Sequence, residues 1–575
     1  MRRFLLSACL IATAAFAQTP AWVAKSNRNA QLLIDSNLRY DPEEATANGI
    51  RTLDNQIVSL LDQRIRMQAG LRKTKRELET RLAKEQDPLV KQDLQILIAS
   101  ADRGIRASDA NHKTFLPYTD VPSLVFNGLR SLLDDQTAPE RRTAALTRLK
   151  KYTGAEPGYT PIVTQAERRF REGLKTPGLL GPSKIEVEKN IANSTAFIDG
   201  IGLLLEKYKI DGYQPVFAKL KDQIAEYNDF VRREVLPRSR TDFRLPPAIY
   251  AIQLEQYGVD YTPAELEQMA HQSFTELQGE MENLAQKVAK ERGLPSSDYR
   301  SVIRALKREQ LTGDEILPHY QTRLAQIEDI LRTQHLITLP DRPAIIRIAT
   351  AAETAQQPAP HMDPPPLVDN QGERGTFVLP LETLGENGAN LKYDDFTFAA
   401  VSWTLIAHEG RPGHELQFDA MAEKGVSLAR ALFAFNSTNV EGWGLYSEWF
   451  MQPWMPDDGK LISLQFRLLR AARAFLDPEL QEGKVTPDQA MQLLENDVVC
   501  SRAFATEEVE RFTFRMPGQA VSYFDGFTRL LEIRQAAEQA LGPKFDAMKF
   551  HDFVLSQGLL PPALLRKAVL EGLQR

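Results

Sequence analysis

Apolar and polar residues alternate mainly with helical spacing along this chain. Within residues 320–331, apolar side chains recur three or four positions apart with charged and polar residues between them, and residues 53–61 show the same spacing. A stripe with this period covers one face of an α-helix. The pattern therefore predicts an amphipathic helix in each of these two segments.

Two segments carry a complete signal for the start of a helix. Residues 262–265 read Thr-Pro-Ala-Glu, which is a capping box with proline at the first helical position, and Gly293 follows Arg292 as a stop signal. Residues 486–489, Thr-Pro-Asp-Gln, repeat the start signal. We therefore predict helices that begin after Thr262 and after Thr486.

Strand signals are few. Residues 344–348 and 375–381 are short, apolar and rich in branched side chains, whereas residues 358–366 contain five prolines and are predicted to be a loop leading into the second strand. The prediction is a mainly α, large helical protein with a small β-sheet. We divide it into an N-terminal mainly helical region, 18–370, and a C-terminal region, 371–575, which can form one continuous domain with it.

The first 17 residues have the pattern of a secretory signal peptide. Two arginines precede an apolar run, and small residues precede the cleavage point that we predict after Ala17. The run is shorter than the roughly 20 residues that a membrane span requires. We therefore expect an exported protein, periplasmic or extracellular, with no stable membrane span after signal cleavage.

A lipid anchor is the less favoured alternative. Residues 6–9, Leu-Ser-Ala-Cys, resemble a lipoprotein cleavage box, but the apolar run before Cys9 is short for a signal core. If Cys9 leaves with the signal, Cys500 is the one remaining cysteine. Cys500 then has no partner for an internal disulfide.

The charge balance argues against a nucleic-acid partner. The chain carries 70 Lys and Arg against 76 Asp and Glu, a net charge of −6. Nucleic-acid binding relies on clustered Lys and Arg. With 43% hydrophobic residues, the chain is instead typical of a soluble protein with a large core.

Two histidines and a glutamate follow an apolar stretch at residues 398–406. His408, Glu409 and His414 lie within seven residues, although the whole chain has only eight histidines. Imidazole is a common zinc ligand, and a neighbouring glutamate can accept a proton from a water molecule that the metal activates. The segment therefore predicts a metal site. The alternative is that both histidines are ordinary hydrogen-bonded core residues.

The spacing of these histidines requires a break in the helix. Side chains six positions apart point about 120° apart on a regular α-helix, so His408 and His414 cannot both face one ion. Pro412, with Gly410 and Gly413 on either side, permits a bend that returns His414 to the site.

A second segment, residues 439–448, supplies carboxylates. Glu441 and Glu448 share one face of a predicted helix with Leu445. A carboxylate on an apolar face needs a partner, and Glu441 as third metal ligand leaves a fourth position for water. Glu448 is either a surface carboxylate or a residue that orients one of the histidines.

Three motifs resemble those of a bacterial family catalogued as a domain of unknown function. They are His-Glu-Gly-x-Pro-Gly-His-x-x-Gln at 408–417, Glu-Gly-Trp-x-Leu-Tyr at 441–446 and Pro-Gly-Gln-Ala-x-x-Tyr at 517–523. That family is similar in turn to the gluzincin metallopeptidases. The resemblance implies a gluzincin-like fold with a small sheet beside a central metal-site cleft. One departure is Gln481, where many relatives carry a histidine.

The resemblance also implies roles for matching residues. His408, His414 and Glu441 would bind Zn²⁺, and Glu409 would act as general base. Tyr523 is either a hydrogen-bond donor to the developing oxyanion or an ordinary packing residue. Further candidates for contacting a metal ligand or the substrate are Glu448, Gln417 and Arg515, of which Arg515 is alternatively a solvated charge.

The expected activity is zinc-dependent hydrolysis of short peptides or related amides. Residues 375–381 resemble the gluzincin edge strand, along which an extended peptide can pair. The alternatives are a zinc hydrolase of an ester or a cell-wall amide, and a non-catalytic exported binding protein that retains the fold. The scissile bond, the oligomeric state and the physiological metal are left open.

Overall fold

The computed structural model describes residues 20–61, 63–384 and 390–573, and most of these are helical. The predicted signal peptide, residues 1–17, and the alternative anchor at Cys9 lie outside the described residues. The first helices are α1 (Ala21–Ser36), α2 (Pro42–Ala47), α3 (Gln63–Leu82), α4 (Pro88–Thr114), α5 (Val121–Arg130), α6 (Pro139–Arg142), α7 (Ala144–Tyr152), α8 (Ile162–Gly173), α9 (Lys184–Lys207), α10 (Gln214–Phe230), α11 (Pro247–Tyr257) and α12 (Pro263–Arg292). They are followed by α13 (Tyr299–Lys307), α14 (Ile316–Thr333), α15 (Ala351–Gln356), α16 (Val401–Glu409), α17 (His414–Lys424), α18 (Ser437–Met451), α19 (Asp457–Glu482), α20 (Pro487–Asn496), α21 (Arg502–Glu510), α22 (Val521–Leu541), α23 (Ala547–Ser556) and α24 (Pro562–Gly572).

The strands are short and form two small sheets. They are β1 (Ile345–Ile348), β2 (His361–Asp363), β3 (Thr376–Leu379), β4 (Glu382–Leu384) and β5 (Asn390–Lys392). In the three-stranded sheet β3 is central, parallel to β1 and antiparallel to β2. The second sheet consists of β4 and β5, which pair antiparallel. The predicted mainly α fold with a small sheet is confirmed.

The helix starts predicted from capping signals are also confirmed. Thr262 caps α12 through a capping box, and the left-handed Gly293 ends it, while Thr486 caps α20 in the same way. The stripe at 320–331 lies in α14. These signals succeed because a cap satisfies backbone N–H groups that the helix itself leaves unpaired.

The helix predicted over residues 53–61 is wrong. A short 3₁₀ turn ends at Leu53, and residues 54–61 form no regular helix or strand. The Glu43 carboxylate accepts a hydrogen bond from the Val58 backbone N–H, and the side-chain amide oxygen of Gln165 accepts one from the Leu60 backbone N–H. Because side chains satisfy the backbone here, the apolar residues reach the core without forming a helix.

Two expectations about the sheet are wrong as well. The proline-rich segment 358–366 contains strand β2, in the three consecutive residues between Pro360 and Pro364. In addition, β3, within the predicted edge strand 375–381, is the central strand, and β2 is an outer strand of that sheet. The prolines on both sides keep β2 short and at the edge.

The main hydrophobic core draws on two long parts of the chain, from Ala30 to Ile105 and from Tyr250 to Val569. A second core lies among residues between Leu60 and Ala352 and takes most of its members from the intervening part of the chain. The three-stranded sheet also joins residues on both sides of position 370. The division at 370 stays a prediction, and both regions contribute to this sheet and to the main core.

Helices α18 and α22 approach each other backbone to backbone. A Cβ atom on Gly442 would lie 2.5 Å from the carbonyl carbon of Gly526, so a larger residue would push the two helices apart. This contact brings Glu441 on α18 and Tyr523 on α22 to the same cavity. Within the described ranges, no helix combines the length and apolar character that crossing a membrane would require.

Candidate metal centre and its cavity

The break that the histidine spacing requires is present. Helix α16 ends at Glu409 and α17 begins at His414, and the rings of His408 and His414 are 4.7 Å apart between centroids. The fully buried Arg411 holds the connection, since its Nε donates to Glu415 Oε2 on α17 at 2.7 Å. The two histidines therefore face one point from two different helices.

His408, His414 and Glu441 form a cluster with the dimensions of a zinc site. Their ligand atoms lie within 4.8 Å of one another, and each histidine Nε2 is 3.4 Å from Glu441 Oε2. That separation is long for a hydrogen bond. It matches the spacing of about 3.4 Å between two ligands that are each about 2.0–2.1 Å from one tetrahedral ion. The donor set, two imidazoles and a carboxylate, also fits zinc.

The charges around the cluster favour a cation. Burial opposes a charge on His408, but the carboxylates of Glu441 and Glu448 outweigh it and raise the pKa of His408 to about 9. Burial alone would raise the pKa of Glu441, yet the two histidines hold it well below its usual range. The cluster thus retains a positive charge among carboxylates, and a divalent ion can take the place of the proton.

Glu448 contacts His408 on the side of the ring opposite the cluster. Glu448 is 1% exposed, and its Oε1 lies 2.7 Å from His408 Nδ1, while Thr404 donates to its other oxygen. This contact directs His408 Nε2 toward Glu441. The ring sits against Gly444, where a Cβ would lie 2.5 Å from His408 Cε1. Of the two predicted alternatives for Glu448, the geometry favours the orienting residue.

Glu409 lies beside the cluster without belonging to it. Its Oε1 is 3.9 Å from His408 Nε2, and its side chain lines the cavity. A carboxylate at that distance is free to contact a water molecule or a substrate rather than the histidine. This is the position that a general base requires.

Tyr523 also reaches the cluster. Its ring stacks against that of His408 at 6.2 Å, and Arg511 Nη1 donates to its hydroxyl oxygen at 3.2 Å. Burial raises the pKa of Tyr523, so the hydroxyl keeps its proton. Because the oxygen accepts from Arg511, its own hydrogen is available to another acceptor in the cavity.

Two further predicted residues lie away from the cavity. Gln417 donates to Asn439 Oδ1 and does not line the cavity, and a different glutamine, Gln519, donates to Glu441 Oε1 at 3.3 Å. Arg515 Nε donates to Glu510 Oε2 at 2.9 Å, also outside the cavity lining. The structure therefore brings neither Gln417 nor Arg515 to the cluster of His408, His414 and Glu441.

Besides Arg130, three buried arginines that sequence reasoning missed line the cavity. They are Arg470 and Arg473 on α19 and Arg511 after α21, each at most 5% exposed. A signal was available: Arg470 and Arg473 lie among apolar residues in a long helical segment, and a charge buried in such a helix needs a partner. The same argument had identified Glu441.

The cavity has a volume of about 400 Å³, and its lining residues come from both predicted regions of the chain, before and after position 370. Strand β2 forms one wall, together with Asn127 and Arg130 around the end of α5. Apolar side chains, Phe396, Leu405, Phe466 and Phe504, also line the cavity. The outer strand that lines the cavity is therefore β2, not the predicted segment 375–381.

The departure at Gln481 lies outside this cavity. Gln481 donates to the Phe512 carbonyl at 2.7 Å and accepts from the Leu245 backbone N–H at 2.8 Å. Neither of these partners lines the cavity. The residue that differs from many relatives thus supports the fold rather than the metal cluster.

Known structures share this fold. A "putative lipoprotein" from Colwellia psychrerythraea aligns with a TM-score of 0.74 at 18% identity, over 96% of this chain and 99% of that one. A "putative lipoprotein of unknown function" from Shewanella oneidensis aligns with a TM-score of 0.67 at 18% identity, over 96% and 100%. No curated protein matches the sequence. The model of a family described as "Bacterial protein of unknown function (DUF885)" matches residues 42–569. The expected family is confirmed, and the chain belongs to the DUF885 family of bacterial proteins.

Proposed function

We propose that this protein is an exported zinc-dependent hydrolase that cleaves peptide or related amide bonds. The observation that carries the proposal is the cluster of His408, His414 and Glu441 in one cavity with Glu409 beside it. Three ligands with a carboxylate next to them are typical of catalytic zinc sites, whereas structural sites are usually closed by four protein ligands. Glu448, the nearest further carboxylate on α18, is turned toward His408 Nδ1.

The two histidines and Glu441 would hold the metal. A zinc ion there would supply a positive charge that lowers the pKa of water and polarises a carbonyl group. Glu448 keeps the His408 ring in the orientation that presents Nε2 to the site. Gln519 restrains the second oxygen of Glu441.

Glu409 performs the proton transfers of the reaction. It accepts a proton from water as the water oxygen bonds to the carbonyl carbon, and passes that proton to the nitrogen as the C–N bond breaks. The products are an amine and a carboxylic acid, which then ionises. Tyr523 donates its O–H to the carbonyl oxygen as negative charge develops there, while Arg511 fixes the position of the hydroxyl.

The cavity supports short peptides as substrates. Its volume of about 400 Å³ is that of a pocket for a small ligand rather than a surface for a folded protein. Strand β2 lies at an edge of its sheet and lines the cavity, so an extended peptide has a strand along which to pair.

Export is part of the proposal. The pattern of residues 1–17 supports signal cleavage, and the two structural relatives are called putative lipoproteins. Mass spectrometry of the mature N-terminus separates the two forms of export. A chain that begins at Gln18 supports release, whereas a lipid-modified Cys9 at the N-terminus shows anchoring.

A substrate panel tests the proposed activity. The zinc-loaded protein is assayed with short peptides, esters and cell-wall amides, and Glu409→Gln serves as the control. We expect peptide cleavage, and a fall in kcat on the order of 10²- to 10⁴-fold in the variant with its metal retained, because Glu409 is not a ligand. Cleavage of esters or cell-wall amides alone would favour the alternative hydrolase. Binding without any cleavage would favour the non-catalytic exported protein.

A further inference from the structure

One wall of the cavity holds three buried guanidinium groups. Arg470, Arg473 and Arg511 are 5%, 3% and 5% exposed, and all three line the space that contains the metal cluster. Burying a charge is costly unless it is paired. The partners of these arginines therefore show whether the wall is already neutral.

The carboxylates that face these arginines have other partners as well. Arg473 forms a two-point ion pair with Glu508 at 2.6 and 2.5 Å, and Arg511 Nη2 donates to Glu507 at 2.9 Å. Burial and the neighbouring Glu508 raise the pKa of Glu507, which weakens its contribution as an anion. Arg470 Nη2 is 3.4 Å from Glu448, whose charge is shared with His408.

Two donors in this wall have no acceptor. Among the described residues, neither Arg473 Nη1 nor Arg470 Nε makes a hydrogen bond, although both atoms are buried. Nearly all buried polar groups in folded proteins are hydrogen-bonded. Two unpaired guanidinium donors on adjacent turns of α19, beside a cavity, therefore indicate a place for an anionic ligand.

These arginines lie close to the metal cluster. The Tyr523 ring centroid is 4.5 Å from the Arg473 guanidinium carbon, 5.6 Å from that of Arg470 and 6.2 Å from the His408 ring. One extended residue spans about 3.3–3.6 Å. An anion at the arginines would thus lie within about three residues of a carbonyl group at the cluster of His408, His414 and Glu441.

We propose that Arg470 and Arg473, with Arg511 beside them, bind the C-terminal carboxylate of a peptide substrate. This inference rests on the proposed function and makes the protein a hydrolase that acts near the carboxyl end of a chain. The forked donors of arginine match the two oxygens of a carboxylate. A chain-end carboxylate is the proposed ligand, and the glutamate-ended amide described next distinguishes it from an acidic side chain.

Three matched peptides test this in the unaltered protein: a free acid, its C-terminal amide, and the same amide with glutamate as last residue. We expect kcat/KM for the acid to exceed that for the amide on the order of 10- to 100-fold, mainly through KM. Equal cleavage of acid and amide overturns the inference but leaves the proposed function. Cleavage of the glutamate peptide as fast as the acid overturns the assignment to a chain end. If none is cleaved, the proposed function fails and the inference fails with it.

Two double variants test whether Arg473 causes the preference for the free acid. Arg473→Gln with Glu508→Gln removes the guanidinium without leaving its partner charged, and we expect the preference for the acid to disappear. Arg430→Gln with Asp93→Asn neutralises another buried pair, 2.9 Å apart and outside the cavity lining, and should keep the preference. A retained preference in the first variant contradicts the inference.

If the protein with Arg473→Gln and Glu508→Gln does not fold, the single variant Arg473→Lys tests the same role. Lysine keeps the positive charge beside Glu508 but lacks the forked donors. We expect an intermediate preference for the acid. A preference equal to that of the unaltered protein would overturn the role of Arg473.

Discussion

Helix α18 separates two buried histidines that are held in opposite charge states. On one side His408, 2% exposed, lies against Glu448 and close to Glu441. On the other side His551, 1% exposed, has Nε2 2.8 Å from the Tyr446 hydroxyl and Nδ1 2.7 Å from a backbone carbonyl. The pKa of His408 is raised to about 9, whereas burial lowers that of His551 to about 4.

The difference between the two sites lies in their neighbours, since burial is the same. Around His551, burial is the main cause of the lowered pKa, and the Arg534 guanidinium, 3.5 Å from Nε2, lowers it further, so the imidazole stays neutral. Carboxylates around His408 reverse the sign of the shift. A buried histidine in this protein is therefore a metal-ligand candidate because of the carboxylates that face it, and His551 is a residue of the core.

The largest effect that we expect is the loss of unfolding free energy that the protonation of His551 causes at acid pH. His551 has a lower pKa in the folded state than the ordinary value of 6.5, so the unfolded chain takes up the proton first. The full contribution of His551 to the free energy of unfolding is present above pH 6.5. About 3 kcal/mol of it is lost as the pH falls from 6.5 toward 4. Denaturant unfolding at several pH values measures it.

The matched control is His551→Asn, which retains an amide donor for the Leu336 carbonyl but does not titrate. The variant should lose less stability between pH 6.5 and 4 than the unaltered protein. Other histidines and carboxylates titrate equally in both proteins, so the difference isolates His551. If the free energy of unfolding changes with pH equally in the two proteins, His551 is not held neutral by the fold.

A smaller effect is expected on the other side of α18. Glu448→Gln removes the charge that faces His408 Nδ1 and should weaken zinc binding on the order of 10- to 100-fold, because the partner of a ligating histidine orients the ring and raises its basicity. Competition with a chelator of known affinity measures the change. Zinc affinity equal to that of the unaltered protein would contradict the orienting role of Glu448.

Tyr446→Phe is the control on the same helix. It removes a hydroxyl that contacts His551, so the expected cost is about 1 kcal/mol of stability with zinc affinity unchanged. A loss of zinc affinity in this variant as large as that in Glu448→Gln would show that the effect comes from disturbing α18. The two sides of the helix would then not be independent.

Short-range sequence signals predicted which residues come together in the cluster of His408, His414 and Glu441. His408, Glu409 and His414 lie in one motif, and the required break follows from helix geometry and the Gly and Pro residues between the histidines. Glu441 followed from a carboxylate on an apolar helix face. Chemistry and local geometry were enough for these residues because each is defined by a few neighbours in sequence.

The rest of the cavity depends on contacts between distant segments. Strand β2 was missed because three residues between prolines carry little strand signal, and its pairing with β3 is set by the tertiary fold. Arg515 was named as a candidate and Arg511 was not, because an arginine in isolation gives no sign of which way it points. Helical periodicity also failed at residues 53–61, where Glu43 and Gln165 supply hydrogen bonds that no local pattern reveals.

The most direct test is the zinc content per chain of the purified mature protein, measured beside His408→Ala, His414→Ala and beside His551→Asn prepared in the same way. We predict one zinc per chain in the unaltered protein and in His551→Asn, and none in the double variant. No zinc in the unaltered protein after zinc is supplied, or equal zinc in all three, would contradict the metal site on which the proposed hydrolase depends.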